Sequence, residues 1–229
     1  MAAIVLIHGA YQGGWIWQRV VRRLTADGHT VFAPSLDGCA ERRHALRPGI
    51  TTETHGAEIA ELLFFEDLHD VVLVGTSSGG MVVCSAAEQA RERIGRLVFA
   101  DALALFDGES IGDIVQRRNA VTTELTTGPS REDAAGRMFA GLDEATKAWA
   151  LERYTPHPVA AMHQPVKLPG FWQQKWRASV VWCRQAVNPG EAHQRRAADR
   201  LGATWHELDT GHYPMVTAAD ELSRLIVQG

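Results

Sequence analysis

The sequence predicts a single α/β domain: a mostly parallel sheet with helices on both faces and a helical cap inserted over one end. Three observations lead there. Short apolar runs alternate with helical patterns along most of the chain; one of those runs ends in a Gly-x-Ser-x-Gly turn; and the stretch at about 107–174 breaks the alternation. With 229 residues, 45% hydrophobic and 22% charged, the chain can bury one full core. The expected organisation is one domain over 1–229, with core segments 1–106 and 175–229 and the cap between them.

Taken in order, the runs at 4–7, 30–33, 71–74, 96–100, 179–183 and 204–208 read as strands buried on both faces. Between them, 15–26 places Trp15, Val20, Val21 and Leu24 at helical spacing and stops at Asp27-Gly28. Stretches 53–65, 79–93, 189–201 and 218–227 behave similarly. Strand–helix alternation of this kind implies right-handed crossovers, with the active site at the carboxyl ends of the strands. The cap stretch is rich in Thr, Pro and aromatic residues and shows no clear strand.

Composition excludes several function classes. The net charge of −4 leaves no basic footprint for nucleic acid, and the pairs Arg42-Arg43, Arg117-Arg118 and Arg195-Arg196 read as solvated faces. Cys39, Cys84 and Cys183 are odd in number and widely spaced, which fits neither a disulfide framework nor a zinc cluster, so a reducing compartment is expected. The N-terminus enters a strand almost at once, without a signal-like segment, and no apolar run reaches membrane-spanning length. A cytoplasmic protein with no membrane partner is expected.

The chemistry begins at Val71-Val-Leu-Val-Gly-Thr-Ser-Ser-Gly-Gly80, an apolar β-branched run passing through Gly-x-Ser-x-Gly into helix-compatible residues. A strand, tight turn and helix in that order make a nucleophile elbow, which lifts the serine Oγ clear of the sheet. Ser77 is therefore the candidate nucleophile, against the alternative of an ordinary Gly/Ser turn. The glycine-rich loop Ile7-His-Gly-Ala-Tyr-Gln-Gly-Gly-Trp15 follows the first strand, where an oxyanion hole needs an unobstructed backbone N–H. Ala10 and Ser78 are the candidate donors, the latter at the N-terminus of the following helix. A phosphate cradle is the alternative, but neither Gly-x-Gly-x-x-Gly nor P-loop spacing is present.

Of ten histidines, His212 in Leu208-Asp-Thr-Gly-His-Tyr-Pro-Met215 is the candidate base, because it lies after the last strand on the catalytic face. His8 reads as a structural hydrogen-bonding residue; His29, His69, His193 and His206 read as turn or polar-face residues; His157 and His163 read as exposed cap residues. No histidine pair has zinc-ligand spacing, and no metal or cofactor is expected.

Three motifs in order, His8-Gly-Ala-x-x-Gly-Gly-Trp-x-Trp17, Gly75-x-Ser-x-Gly-Gly80 and Asp209-x-Gly-His212, resemble the α/β-hydrolase superfamily over nearly the whole chain. The resemblance is to the branch of plant methyl esterases, hydroxynitrile lyases and small bacterial homologues. It implies the α/β-hydrolase fold and an acyl-transfer apparatus. The lyases carry a threonine after the loop histidine and a lysine after the catalytic histidine, where this chain has Gly9 and Tyr213. Both differences favour an esterase. Thr76 also departs from the histidine common before the nucleophile.

The resemblance places the triad acid after the penultimate strand, where aligning Trp182-Cys-Arg-Gln-Ala-Val-Asn-Pro189 puts Ala186. Asp101, at the end of the strand after the nucleophile, would preserve the order Ser, Asp, His and is the candidate acid. Glu191 swinging in, a Ser–His dyad and a lost activity stay open, and Asp209 reads as a turn-former. The expected reaction is hydrolysis of a small carboxylic ester, thioester or lactone through an acyl-enzyme on Ser77. The alternatives are a lyase or cyclase on the same fold, or a small-molecule binding protein of weak turnover, which the missing carboxylate at Ala186 motivates. Tyr11 in the first loop and Trp149, Tyr154, Phe171 and Trp172 in the cap, with Trp176 beside them, are candidates to line the substrate pocket.

Overall fold

The computed structural model describes residues 1–115 and 120–228, so the Arg117-Arg118 pair lies outside the described residues. Strand β1 (Ala3–Ile7) leads through a 3₁₀ turn at Gly14–Trp17 into α1 (Gln18–Ala26), β2 (Thr30–Phe32), α2 (Thr52–Phe65), β3 (Val71–Ser77), α3 (Gly79–Gln89) and β4 (Ile94–Ala102). A second group of short elements follows: α4 (Ile111–Ile114), β5 (Ala120–Thr122), β6 (Thr126–Pro129), α5 (Arg131–Asp133), α6 (Glu144–Arg153), β7 (His157–Pro158) and α7 (Val159–His163). The chain then returns through β8 (Ala178–Cys183), α8 (Glu191–Leu201), β9 (Thr204–Leu208), α9 (Pro214–Thr217) and α10 (Ala219–Val227).

The main sheet runs β2-β1-β3-β4-β8-β9 with every neighbouring pair parallel. Alternation along each strand divides the core into two layers. Val5, Ile7, Leu73 and Phe99 pack on the face covered by α2, α3 and α8, while Ile4, Leu6, Val74 and Val98 pack on the face covered by α1 and α10. Each such side chain taken fully out of water stabilises the fold by about 1.5–3 kcal/mol. Helix α2 starts where Thr51 and Thr54 exchange hydrogen bonds: the Thr54 amide donates to the Thr51 hydroxyl at 3.3 Å and the Thr51 amide to the Thr54 hydroxyl at 2.8 Å. Among the described residues, no helix is long and apolar enough to cross a membrane.

Two expectations need correction. Strands β2 and β9 are not buried on both faces; as the two edges of the sheet they keep exposed and half-exposed residues such as Thr30, Thr204 and Glu207. The inserted stretch is not purely helical, because β5, β6 and β7 form an antiparallel three-stranded sheet. These strands are two to four residues long, too short to display a period, and His157–Pro158 and Thr126–Pro129 end in prolines that read as breakers.

Candidate active site

Ser77 is the last residue of β3 and sits in the left-handed region with φ 51°. A non-glycine residue there stores about 1–3 kcal/mol of backbone strain, which the surrounding packing holds. The turn is possible because α3 crosses directly over the end of β1: a Cβ on Gly79 would come within 2.6 Å of the Ile7 and His8 carbonyl oxygens. The chain therefore leaves the sheet at Ser77 with its side chain projecting beyond the strand ends.

Asp101 is brought to the same end by a different local device. Thr76 pairs with Ala100 and Ser77 with Ala102, so Asp101 is an extra residue in β4, with φ 47°. A bulge of this kind re-aims a side chain out of the regular alternation. The Asp101 side chain is fully buried, and its Oδ2 lies 2.6 Å from His212 Nδ1. Its Oδ1 accepts from Gln194 Nε2 at 2.7 Å and from the Cys183 amide at 3.3 Å. A carboxylate only accepts, so His212 carries its proton on Nδ1 and Nε2 is left as the basic site.

The other carboxylates considered for this position are engaged elsewhere. Asp209 pairs with Arg184 at 3.3 Å and accepts from the Gln185 amide group at 3.2 Å. Glu191 pairs with Arg195 at 3.3 Å one turn along α8. Ala186 does stand in the loop after β8, and that loop is pinned to the His212 loop by the Gln185 amide donating to the Thr210 carbonyl at 3.1 Å.

The first loop is held by His8. The Leu36 amide donates to His8 Nε2 at 3.0 Å, so the proton is on Nδ1, which donates to the Gly9 carbonyl at 2.8 Å. Burial lowers the His8 pKa to about 4, keeping the ring neutral. The Gly9 amide donates to Gln12 Oε1 at 3.3 Å, so both sides of this residue are anchored. Gly9 faces Ser77 so closely that a Cβ there would meet Ser77 Cβ at 2.6 Å.

Ser77, His212, Ala10 and Ser78 all line one cavity of about 440 Å³. Leu103, Ile111, Met138 and Leu142 supply apolar wall, and the loop from Gln185 to Pro189 forms the side next to His212. Of the aromatic residues expected to line it, Tyr11 does. Tyr154 stands one layer behind, its ring 5.8 Å from that of Tyr11 and its hydroxyl donating to the Pro129 carbonyl at 2.6 Å. The rest require correction. Phe171 is fully buried in the core against α3. Trp172 packs on Phe106 and donates to the Leu105 carbonyl at 3.0 Å, and Trp176 stacks on Phe171 at 5.3 Å. Trp149 meets Trp15 edge-on at 4.9 Å and lines a separate groove with Arg19 and Arg22. Aromatic bulk serves first to seal one layer onto another, and these four rings do that.

Two histidines also depart from expectation. His193 is buried, accepting from the Ala104 amide at 3.1 Å, and His157 is buried edge-on to His55 at 5.8 Å. Sequence reasoning missed Gln12 and Gln194, whose amides carry no motif. Gln12 lies within the glycine-rich loop, between Gly9 and Gly13, closely enough to have been included; Gln194 lies 93 residues from its partner Asp101 and left no signal.

A strained serine, a histidine backed by a buried carboxylate and a cavity thus stand together at the strand ends of a parallel α/β sheet. Residues 4–225 match the model of the alpha/beta hydrolase family, and the chain belongs to that family. It is 38% identical over 187 residues to a carbendazim hydrolyzing esterase of Nocardioides sp. (strain SG-4G), covering 74% of this chain and 75% of that protein. It is 32% identical over 99 residues to an alpha-hydroxynitrile lyase of Arabidopsis thaliana, covering 43% of this chain and 38% of that one. An extracellular alpha/beta-hydrolase from a Paenibacillus species superposes with a TM-score of 0.84 at 22% identity, over 99% of this chain and 98% of that one. With a named esterase similar over three quarters of its length, the chain falls in the class of carboxylic ester hydrolases.

Proposed function

We propose that this protein hydrolyses small carboxylic esters through an acyl-enzyme on Ser77, with His212 as base and Asp101 as the acid that orients it. The observation carrying the reading is the 2.6 Å contact between buried Asp101 and His212, the latter lining the same cavity as Ser77. His212 Nε2 takes the Ser77 hydroxyl proton as Oγ attacks the acyl carbonyl, and the Ala10 and Ser78 amides receive the oxyanion. His212 then returns the proton to the leaving alcohol, and water repeats the sequence to release the acid.

Asp101 fills the role that Ala186 leaves vacant, which removes the motive for a binding protein of weak turnover. Against the lyase, Tyr213 is a phenol, neutral below its pKa and never cationic, where the resemblance puts a lysine in the lyases; burial, which raises its pKa, keeps it from ionising. The apolar wall of Leu103, Ile111, Met138 and Leu142 suits an apolar acyl or alcohol portion, and carbendazim is a first compound to test, given its hydrolysis by a relative. We place the protein in a reducing, cytoplasmic setting on its three free, buried cysteines.

Ser77→Ala is the direct test. The variant should fold, release no p-nitrophenol from a short-chain ester and take up no serine-directed fluorophosphonate; unchanged turnover would remove the nucleophilic mechanism.

A further inference from the structure

The geometry points to Gln194 as a positioning residue for the reaction, a buried amide on α8 that holds the Asp101 carboxylate in the orientation His212 needs. The inference rests on the reading of Asp101 as the triad acid. Gln194 is 1% exposed, and its Nε2 donates twice: to Asp101 Oδ1 at 2.7 Å and to the Pro189 carbonyl at 3.0 Å. Both partners only accept, so the amide cannot be turned over without setting its oxygen against a carboxylate and a carbonyl. Its own Oε1 is left buried with no hydrogen-bond partner. An orphaned acceptor in the interior is unfavourable, and here it is the consequence of aiming both N–H groups at the site.

The arrangement explains how a carboxylate on a strand bulge serves as a fixed acid. Asp101 has one oxygen for His212 and one for Gln194, with the longer 3.3 Å contact from the Cys183 amide as its remaining support. With Oδ1 tied down, Oδ2 stays on His212 Nδ1 and the ring holds the tautomer that leaves Nε2 basic. The second bond runs to Pro189, which lines the substrate cavity, so one side chain fastens both the acid and the loop that stands where the usual acid would be. The titratable groups facing this pair are His212 and the Cys183 thiol, which burial keeps protonated; Glu191 and Arg195, also on α8, pair with each other.

Three variants test it on the full chain: Gln194→Met, which keeps the volume and removes the donors; Gln194→Glu; and Asp101→Asn as the reference. Gln194→Met should fold and lose about 10–100-fold in kcat on a p-nitrophenyl ester with KM little changed, the range expected for one hydrogen bond to a charged group. The low-field proton resonance of the His212–Asp101 bond should shift or broaden in parallel. Gln194→Glu sets two carboxyl groups against each other. They must share a proton, so the variant's kcat relative to wild type should climb as pH falls from about 8 to about 5.5, when the protonated Glu can donate to Asp101. Wild-type kcat and an unmoved resonance in folded Gln194→Met would overturn the inference. Should Gln194→Met fail to fold, a pH-independent activity ratio in Gln194→Glu would overturn it equally. If Asp101→Asn is itself fully active, the acid assignment fails; if Asp101→Asn is crippled while Gln194→Met is not, the positioning role alone fails.

Discussion

Gly9 leaves no room for a side chain beside Ser77: a Cβ on it would lie 2.6 Å from Ser77 Cβ, 3.2 Å from Ser77 Oγ and 3.2 Å from the Thr76 carbonyl oxygen. The loop after β1 and the turn at Ser77 are thus packed backbone against side chain, at the position where the resemblance puts a threonine in the lyases. Gly9→Thr should push the loop off the elbow and lower esterase kcat at least about 10²-fold, as losing an oxyanion donor does. It should not install a lyase, since Tyr213 stays neutral. Wild type and variant should both release cyanide from mandelonitrile at the uncatalysed rate, measured by a colorimetric cyanide assay; serine-dependent release would overturn the esterase assignment.

Asp101→Asn keeps the shape of the site and loses the charge that fixes the His212 tautomer. A fall in kcat of about 10⁴-fold is expected, with the fold intact by circular dichroism. In the same assay Ala186→Asp should bring no gain, since His212 Nδ1 already has its partner. A large gain there would mean that the native site lacks a working acid.

His8 predicts an acid limit on stability. Its ordinary value of 6.5 applies to the unfolded chain, whereas burial holds the folded ring at about 4. Between those values the unfolded state binds the proton and the folded state does not, so stability is unaffected above 6.5 and is lost as pH falls toward 4. The loss from this one ring is on the order of 3 kcal/mol, and His193, also held at about 4, acts in the same direction. Urea unfolding at pH 7.5 and at pH 4.5 should show the difference. Carbon chemical shifts should report a neutral His8 ring at pH 5, and a ring already protonated there would rule this account out.

Phe171 separates packing from substrate contact. It is fully buried with Trp172 and Trp176 around it, and it is not part of the cavity lining. Phe171→Ala should cost about 3–5 kcal/mol of stability while leaving kcat and KM near wild type below the lowered melting point. Tyr11→Ala should do the reverse, raising KM with little change in melting temperature.

The main-sheet strands, the elbow and the positions of Ser77 and His212 are legible in the sequence because each is set by neighbours along the chain. β-Branched runs make strands, and Gly75 clears the turn at Ser77 against the helix that follows it, whereas Gly79 is required by the carbonyls at the end of β1 that it crosses. Tertiary structure decided the rest. Asp101 reaches His212, 111 residues away, only because a one-residue bulge against β3 turns its side chain out of register, and nothing local marks a bulge. Gln194 reaches Asp101 only once α8 has packed on the sheet. Phe171 and Trp172 read as pocket residues because an aromatic ring has the same sequence signature in a core as in a binding wall. The direction a side chain faces is settled by which surfaces meet, and that is a property of the assembled layers.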